Sequence, residues 1–420
     1  MDTKISLVEK GCINRIGELF TEAFNHSSAL LVSDENTLSV GGFAVVKSLE
    51  QHKIPVRQCC FPAEPMVYAD EFSLAKLRES LRKDRSIIVV LGSGTLNDIA
   101  KRISFEFGRP YMVVATAPSV DGYTSYGAAV SLNGFKQTLP CSAPYAVIAD
   151  TDILCSSPMP MIASGFGDCM AKFTAGADWI VADLLGIQPI RKDVWDMVQN
   201  PLHHVYARCQ AIGSRDPVSI GMLFDALSAS GFAMQIMHDS RPASGSEHLI
   251  SHVWEMEHLQ ASHGFKVAIG TVAISYLYEK LQTLDFSNIL ENKAETWEER
   301  ESSIRRVFPS DKIYEQVLPI AKAKFLEGKA LEERRKAILH VLMAIRRKCA
   351  EQLPGYRNLS QAMQTVSCPT KALEINATRQ DLVRAIKGAQ MIRDRYTILD
   401  LLYEAGLLDE ALSTLEGLAV

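Results

Sequence analysis

The 420-residue sequence predicts an α/β domain with a mostly parallel sheet, followed by an all-α domain. Two observations carry that prediction. Through residue 150, short apolar runs rich in β-branched residues alternate with helical stretches, the order of an open, doubly wound sheet. Beyond "CSSPMPMIAS" (155–164) such runs vanish and long amphipathic helices replace them. The domains are therefore expected at 1–155 and 156–420, with a cleft where they meet.

Taken in order, "ALLVSD" (29–34), "IIVVLG" (87–92), "YMVVAT" (111–116) and "AVIAD" (146–150) read as buried strands. Each is a compact apolar run stopped by a polar residue or glycine. Residues 37–51 and 70–84 are helical connections between them. In the second domain, helices are expected near 161–185, 218–238, 246–260, 266–282, 311–326, 330–351 and 379–403. Thr378 and Asp381 form a capping box for the last. The chain shows no internal repeat and no low-complexity tract.

Composition excludes several function classes. With 22% charged residues, 47% apolar residues and a net charge of −5, the chain has no broad basic surface for nucleic acid. Its nine cysteines form no CxxC pair, only the adjacent Cys59 and Cys60, which argues against a disulfide framework or zinc knuckle. That usage fits a reducing cytoplasm. "MDTKISLVEKGC" lacks the apolar region of a signal peptide, and no apolar run is expected to span a membrane.

Three stretches carry chemistry. "SIIVVLGSGTLNDIAKRIS" is strand, glycine turn and helix: Gly92 and Gly94 admit a close ligand, and the helix start offers N–H groups and a positive dipole end to a pyrophosphate. A tight turn without a ligand would use the same glycines. Asp34 closes the first predicted strand, where a carboxylate can receive adenosine ribose hydroxyls and favour NAD; an ordinary polar strand end is the plainer reading.

"SRPASGSEHLISHVWEMEHLQASHG" (240–264) holds four of the ten histidines. His248 and His252 are four apart and share a helix face, a half-site for a metal. His263 precedes Gly264, where a turn can return it to the same spot, whereas His238 and His258 have no such spacing. Asp168, in "GFGDCMAKFTAGADW", offers the carboxylate such a site needs, but by its place near a predicted helix start an N-cap is the plainer reading.

As a set, "GSGTLNDIAK", "TAPSVDGYTS", "GFGDCMAK", "SRPASGSEHLISH" and "HGFKVAIGT" resemble the sn-glycerol-1-phosphate dehydrogenases. These form a branch of the superfamily that contains glycerol dehydrogenase, iron-containing alcohol dehydrogenases and 3-dehydroquinate synthase. The resemblance runs from about residue 28 to 275 and returns at "MIRDRYTILDLL" (391–402); 280–375 carries no motif. The length is closer to the bacterial members than to the archaeal ones.

The resemblance implies metal ligands at Asp168, His248 and His263, and substrate contacts or catalytic groups at Asp121, Asp168 and His252. It implies a dinucleotide along Gly94, Thr95, Leu96, Asn97 and Asp98, and along Thr116, Ala117, Pro118, Ser119 and Ser125, with Asp34 and Asn36 on the adenosine side. It further implies NAD(H) or NADP(H), one divalent ion (zinc, nickel or iron), a homodimer, and reduction of dihydroxyacetone phosphate to sn-glycerol 1-phosphate. Lys136 and Arg241 are minor candidates for the substrate phosphate, with solvent-facing charge the simpler reading. The competing functions are a dehydrogenase of unphosphorylated glycerol or another polyol, a cyclising lyase, and a binding protein that has lost catalysis.

Overall fold

The computed structural model of the chain describes residues 2–25, 27–132 and 135–417, apart from the side chains at 132–136, 416 and 417. Its strands are β1 (Ile5–Glu9), β2 (Ala29–Asp34), β3 (Val56–Phe61), β4 (Ile87–Gly92), β5 (Tyr111–Ala115), β6 (Gly127–Leu132), β7 (Phe135–Pro140) and β8 (Ala146–Asp150). Six of them form one sheet in the order β1-β8-β5-β4-β2-β3, with every pairing parallel. β6 and β7 make a separate antiparallel hairpin. Among the described residues no strand follows Asp150, so the change from α/β to all-α is as the sequence predicts.

The four strands read from sequence are the four inner ones, buried along almost their whole length. The two edge strands, β1 and β3, escaped that reading because each is half solvated and carries polar residues, as in "ISLVE" and "VRQCCF". Register places the site. Gly92 at the end of β4 pairs with Ala115 at the end of β5. The amide of Thr116 then donates to the Gly92 carbonyl at 3.1 Å. The glycine turn and the loop after β5 thus leave the sheet side by side at its carboxyl edge.

The chain packs as two compact units that differ from a linear division at 155/156. The first runs to Cys169 and includes Asn200–Asp239; the second comprises Met170–Gln199 and the residues from Ser240 on. The helix Pro217–Met237 explains the difference. It is long and apolar enough to cross a membrane by length and composition, contrary to the expectation that no run would be, and 67% of its apolar window is buried inside the protein. A helix apolar on all sides is a core helix when other elements surround it. This one grips the segment after β5: Thr124 Oγ1 donates to the Ser228 carbonyl at 2.7 Å, and Gln235 Nε2 donates to the Thr124 carbonyl. Gly231 leaves room for that approach, since a Cβ there would lie 1.9 Å from Thr124 Oγ1.

In the second unit, the helix expected over 379–403 is two helices, Arg379–Ala389 and Ile398–Glu404. The predicted Thr378–Asp381 capping box opens the first, and a second box, Thr397 with Asp400, opens the other. The motif-free stretch 280–375 supplies core: Ile304, Val307, Ile338, Ile345 and Cys349 pack in one cluster with Trp254, Leu277 and Leu401.

Glu404 ends the second of these helices, buried, and receives the Tyr396 hydroxyl at 2.6 Å and Arg334 Nη1 at 3.0 Å. Burial outweighs Arg334 and pushes its pKa up to about 7. The folded state then holds a proton that the unfolded chain has released, so this stabilisation is complete below the unfolded value of 4.5 and lost as pH rises through 7. Thermal melts at pH 5.5 and 8 should show a smaller difference for Glu404→Gln than for the native chain, by about 2 kcal/mol. Parallel pH dependence in both would refute the assignment.

Candidate functional site

After β4, Ser93 leads into the helix Gly94–Glu106, and among the described residues no side chain caps its first turn. Asn97 is where its backbone N–H bonding begins, with a 3.0 Å bond to the Ser93 carbonyl. The N–H groups of the first turn and the positive dipole end are therefore available to an anion. Gly92 has no room for a side chain, and Gly94 has little. A Cβ on Gly92 would lie 2.5 Å from Leu96 Cδ1, and one on Gly94 3.0 Å from Val120 Cγ2.

The loop after β5 is held from several sides. Thr116, Ala117, Pro118 and Ser119 are buried, and the Ala117 carbonyl accepts the Tyr123 hydroxyl at 2.7 Å. Gly165 lies against the Pro118 carbonyl, so closely that a Cβ would stand 1.7 Å from its oxygen. Gly165→Ala is accordingly expected to cost about 3 kcal/mol of stability, read as a lowered melting temperature, because the obstacle is backbone and cannot rotate away. An unchanged melting temperature would contradict that contact. Ser125 is fixed by Lys101, whose fully buried Nζ donates to Ser125 Oγ at 3.1 Å and to the carbonyls of Gly122 and Gly127 at 2.8 and 2.9 Å. Burial holds that ammonium below its ordinary pKa.

Asp168 sits on the helix Met159–Leu184, about two and a half turns from its start, so it is not an N-cap. It is fully buried, and its Oδ2 accepts the Asp121 backbone N–H at 2.9 Å. His248 is the third residue of the helix Ser246–Met256, and His263 is the first of the helix His263–Leu281, which Ser262 caps. One ligand atom from each of Asp168, His248 and His263 lies within 4.8 Å of the others. The His248 and His263 rings are 5.4 Å apart between centroids.

Each of these histidines turns Nδ1 to a carboxylate: His248 to Glu247 Oε1 at 2.8 Å, and His263 to Glu255 Oε1 at 3.1 Å. A carboxylate there selects the tautomer with hydrogen on Nδ1 and leaves the Nε2 lone pair as the donor. Two neutral imidazoles and one carboxylate, with ligand atoms this close, fit a divalent cation with open coordination positions. His252, one turn after His248 on the same helix, is outside the triad. Burial pushes its pKa down to about 3 against the opposing charge of Glu255, so its imidazole is neutral at physiological pH.

With this geometry in view, likeness to known proteins can be placed. Residues 7–158 match the family of iron-containing alcohol dehydrogenases. The chain is 36% identical over 277 residues to a glycerol-1-phosphate dehydrogenase (NAD(P)+) of Geobacillus thermodenitrificans, covering 62% of this chain and 69% of that one. The chain belongs to the glycerol-1-phosphate dehydrogenase family. A second member, from Halalkalibacterium halodurans, is 38% identical over 256 residues, 59% of this chain and 64% of that relative's length, just under two thirds. The fold is also that of a probable glycerol dehydrogenase from Sinorhizobium meliloti 1021, with a TM-score of 0.64 over 99% of this chain and 97% of that one at 14% identity.

Within this family member, the structure sorts the residues named from sequence. Gly94, Thr95 and Asp98 are partly exposed on the first turns of their helix, whereas Leu96 and Asn97 point into the fold. Asn97 receives the Tyr111 hydroxyl at 3.0 Å and reaches the Gly122 carbonyl at 3.4 Å, so its side chain braces the turn. Asp34 caps the short helix Glu35–Thr37, its Oδ1 accepting the Thr37 N–H at 2.7 Å. Arg241 is neither solvent-facing nor available to a phosphate: it is fully buried and donates to the carbonyls of Tyr396 and Asp178, each at 2.8 Å. The Lys136 side chain lies outside the described residues.

His238 and His258 both occupy left-handed backbone at helix ends, with φ of 49° and 60°, and neither is part of the triad. Glu247, Glu255 and Lys101 were missed. The two glutamates had a signal, acidic residues at −1 and +7 from His248 on one helix, whereas Lys101, directly before Arg102, had none.

Proposed function

We propose that this family member reduces dihydroxyacetone phosphate to sn-glycerol 1-phosphate, reversibly, using NADH or NADPH, and so supplies glycerol phosphate backbones for lipids. The observation that carries the proposal is the triad of buried Asp168 and His248 with half-buried His263, whose carboxylate also holds the backbone of Asp121. A divalent ion, when bound there, would withdraw charge from the ketone oxygen while the nicotinamide exchanges hydride with the carbon. Zinc and nickel suit the nitrogen and oxygen donors, and iron is the third choice.

The chain's own groups set up that chemistry. The uncapped start of Gly94–Glu106 receives the pyrophosphate, and the braced loop from Thr116 to Ser119, with Ser125, forms the adjoining wall. Asp34, at the carboxyl end of β2, disfavours an added 2′-phosphate and supports preference for NADH. Asp121 is tethered through its amide to Asp168 and so stands beside the metal ligand as a substrate contact. His252 is neutral and presents one N–H and one lone pair, which lets it pass a proton to or from a substrate hydroxyl. All nine cysteines are unpaired, which fits a reducing cytoplasm.

The test uses protein stripped of metal and reloaded separately with zinc, nickel or iron. Oxidation of NADH and NADPH is followed with dihydroxyacetone phosphate, and in parallel with dihydroxyacetone and, in reverse, glycerol. Restoration by at least one metal with the phosphorylated ketone is expected. Restoration only with the unphosphorylated compounds would transfer the assignment to a polyol dehydrogenase, and phosphate release from a heptulosonate phosphate would transfer it to a cyclising lyase.

A further inference from the structure

The helix Ser246–Met256 carries a carboxylate for each histidine of the triad, and the two carboxylates are built differently. Glu247 is fully buried with both oxygens occupied. Its Oε1 receives His248 Nδ1 at 2.8 Å and the Gly245 N–H at 2.6 Å, and its Oε2 receives the Thr174 hydroxyl at 2.8 Å. The backbone is shaped around it: a Cβ on Gly245 would lie 2.9 Å from Glu247 Oε2, and one on Gly270 2.7 Å from the Glu247 carbonyl oxygen. Glu255 is shared. Its Oε1 meets His263 Nδ1 at 3.1 Å and Lys266 Nζ at 3.6 Å.

We infer that Glu247 and Glu255 are the positioning residues of the metal centre, Glu247 the dominant one, each holding its histidine with hydrogen on Nδ1 and Nε2 toward the ion. This rests on the reading of Asp168, His248 and His263 as metal ligands and adds the groups that orient them. A carboxylate behind a ligating imidazole fixes the ring and raises its basicity, and losing one typically weakens metal binding roughly 10- to 100-fold. Glu247 holds its histidine by the shorter contact, 2.8 against 3.1 Å, and Lys266 neutralises part of Glu255, so the first substitution has the larger effect.

The experiment measures cobalt(II) affinity by chelator competition, and the cobalt absorption spectrum, on the full metal-stripped chain and on Glu247→Gln and Glu255→Gln. Glutamine keeps the shape and an acceptor oxygen but removes the charge. The expected result is folded protein with cobalt bound roughly tenfold more weakly in Glu247→Gln, a smaller loss in Glu255→Gln, and an altered ligand-field band in both. A role confined to packing would change the melting temperature and leave affinity and spectrum as in the native chain, which overturns the inference. If the native chain binds no cobalt, the metal reading falls with it; if the native chain binds and both variants match it, only the positioning roles fall. Nitrogen-15 labelling of histidine in the zinc-loaded native chain needs no variant: protonated Nδ1 at His248 and His263 supports the inference, and protonated Nε2 at either overturns it for that residue.

Discussion

Asp168→Asn is expected to lose its metal on dialysis and to lower turnover about a thousandfold or more, while the protein stays folded. Asparagine has the size of aspartate and an oxygen that can still accept the Asp121 N–H, so packing and that hydrogen bond survive. What disappears is the one negative charge in the triad, leaving two neutral imidazoles to hold a divalent ion. Lewis-acid stabilisation of a developing alkoxide is worth several kcal/mol, and about 4 kcal/mol corresponds to a thousandfold in rate. His252→Ala separates the roles. It should retain the metal and lower turnover roughly a hundredfold, the range for a lost proton-transfer group. Metal content after dialysis, measured beside steady-state turnover, decides between them: equal metal loss in both variants would refute the exclusion of His252 from the ligand set.

The second large effect falls on folding. Asp178 is fully buried on the helix Met159–Leu184, and its two oxygens receive four donors. Oδ2 takes the N–H and the hydroxyl of Ser246, both at 2.7 Å; Oδ1 takes the Tyr278 hydroxyl at 2.7 Å and the Ile398 N–H at 2.9 Å. One carboxylate therefore ties together the starts of the helices Ser246–Met256 and Ile398–Glu404 and the last turn of His263–Leu281. Asp178→Ala should destabilise the second unit by about 3–5 kcal/mol, since it strands buried donors and leaves a cavity. Calorimetry or denaturant unfolding measures this. Asp178→Asn, which keeps one acceptor oxygen, should lie between, and an alanine variant as stable as the native chain would show that the network adds nothing. Because Ser246 opens the helix that carries His248, metal affinity should fall in step with stability here, unlike in Asp168→Asn.

Much of this was legible in the sequence for identifiable reasons. The inner strands announce themselves because a strand buried on both faces must be apolar throughout. The edge strands and the β6–β7 hairpin do not, because half of each meets solvent and the alternation dissolves into polar residues. The Asp168 helix starts at Met159, within two residues of the expected position, and from either start Asp168 lies turns inside it, which excludes the capping role that its neighbouring glycines suggested. Arg241 shows the opposite failure. Charge suggests solvent, yet two carbonyls inside the protein satisfy the guanidinium.

The order of strands and helices, the glycine turn and the choice of chemically capable side chains follow from local composition and periodicity, and these the sequence determined alone. The convergence of one aspartate and two histidines, separated by eighty and fifteen residues, was decided by tertiary packing. So was the backing of each imidazole by a carboxylate. Local signals set backbone conformation within a few residues, whereas the approach of distant ligands depends on which buried faces fit together, and no short stretch of sequence encodes that.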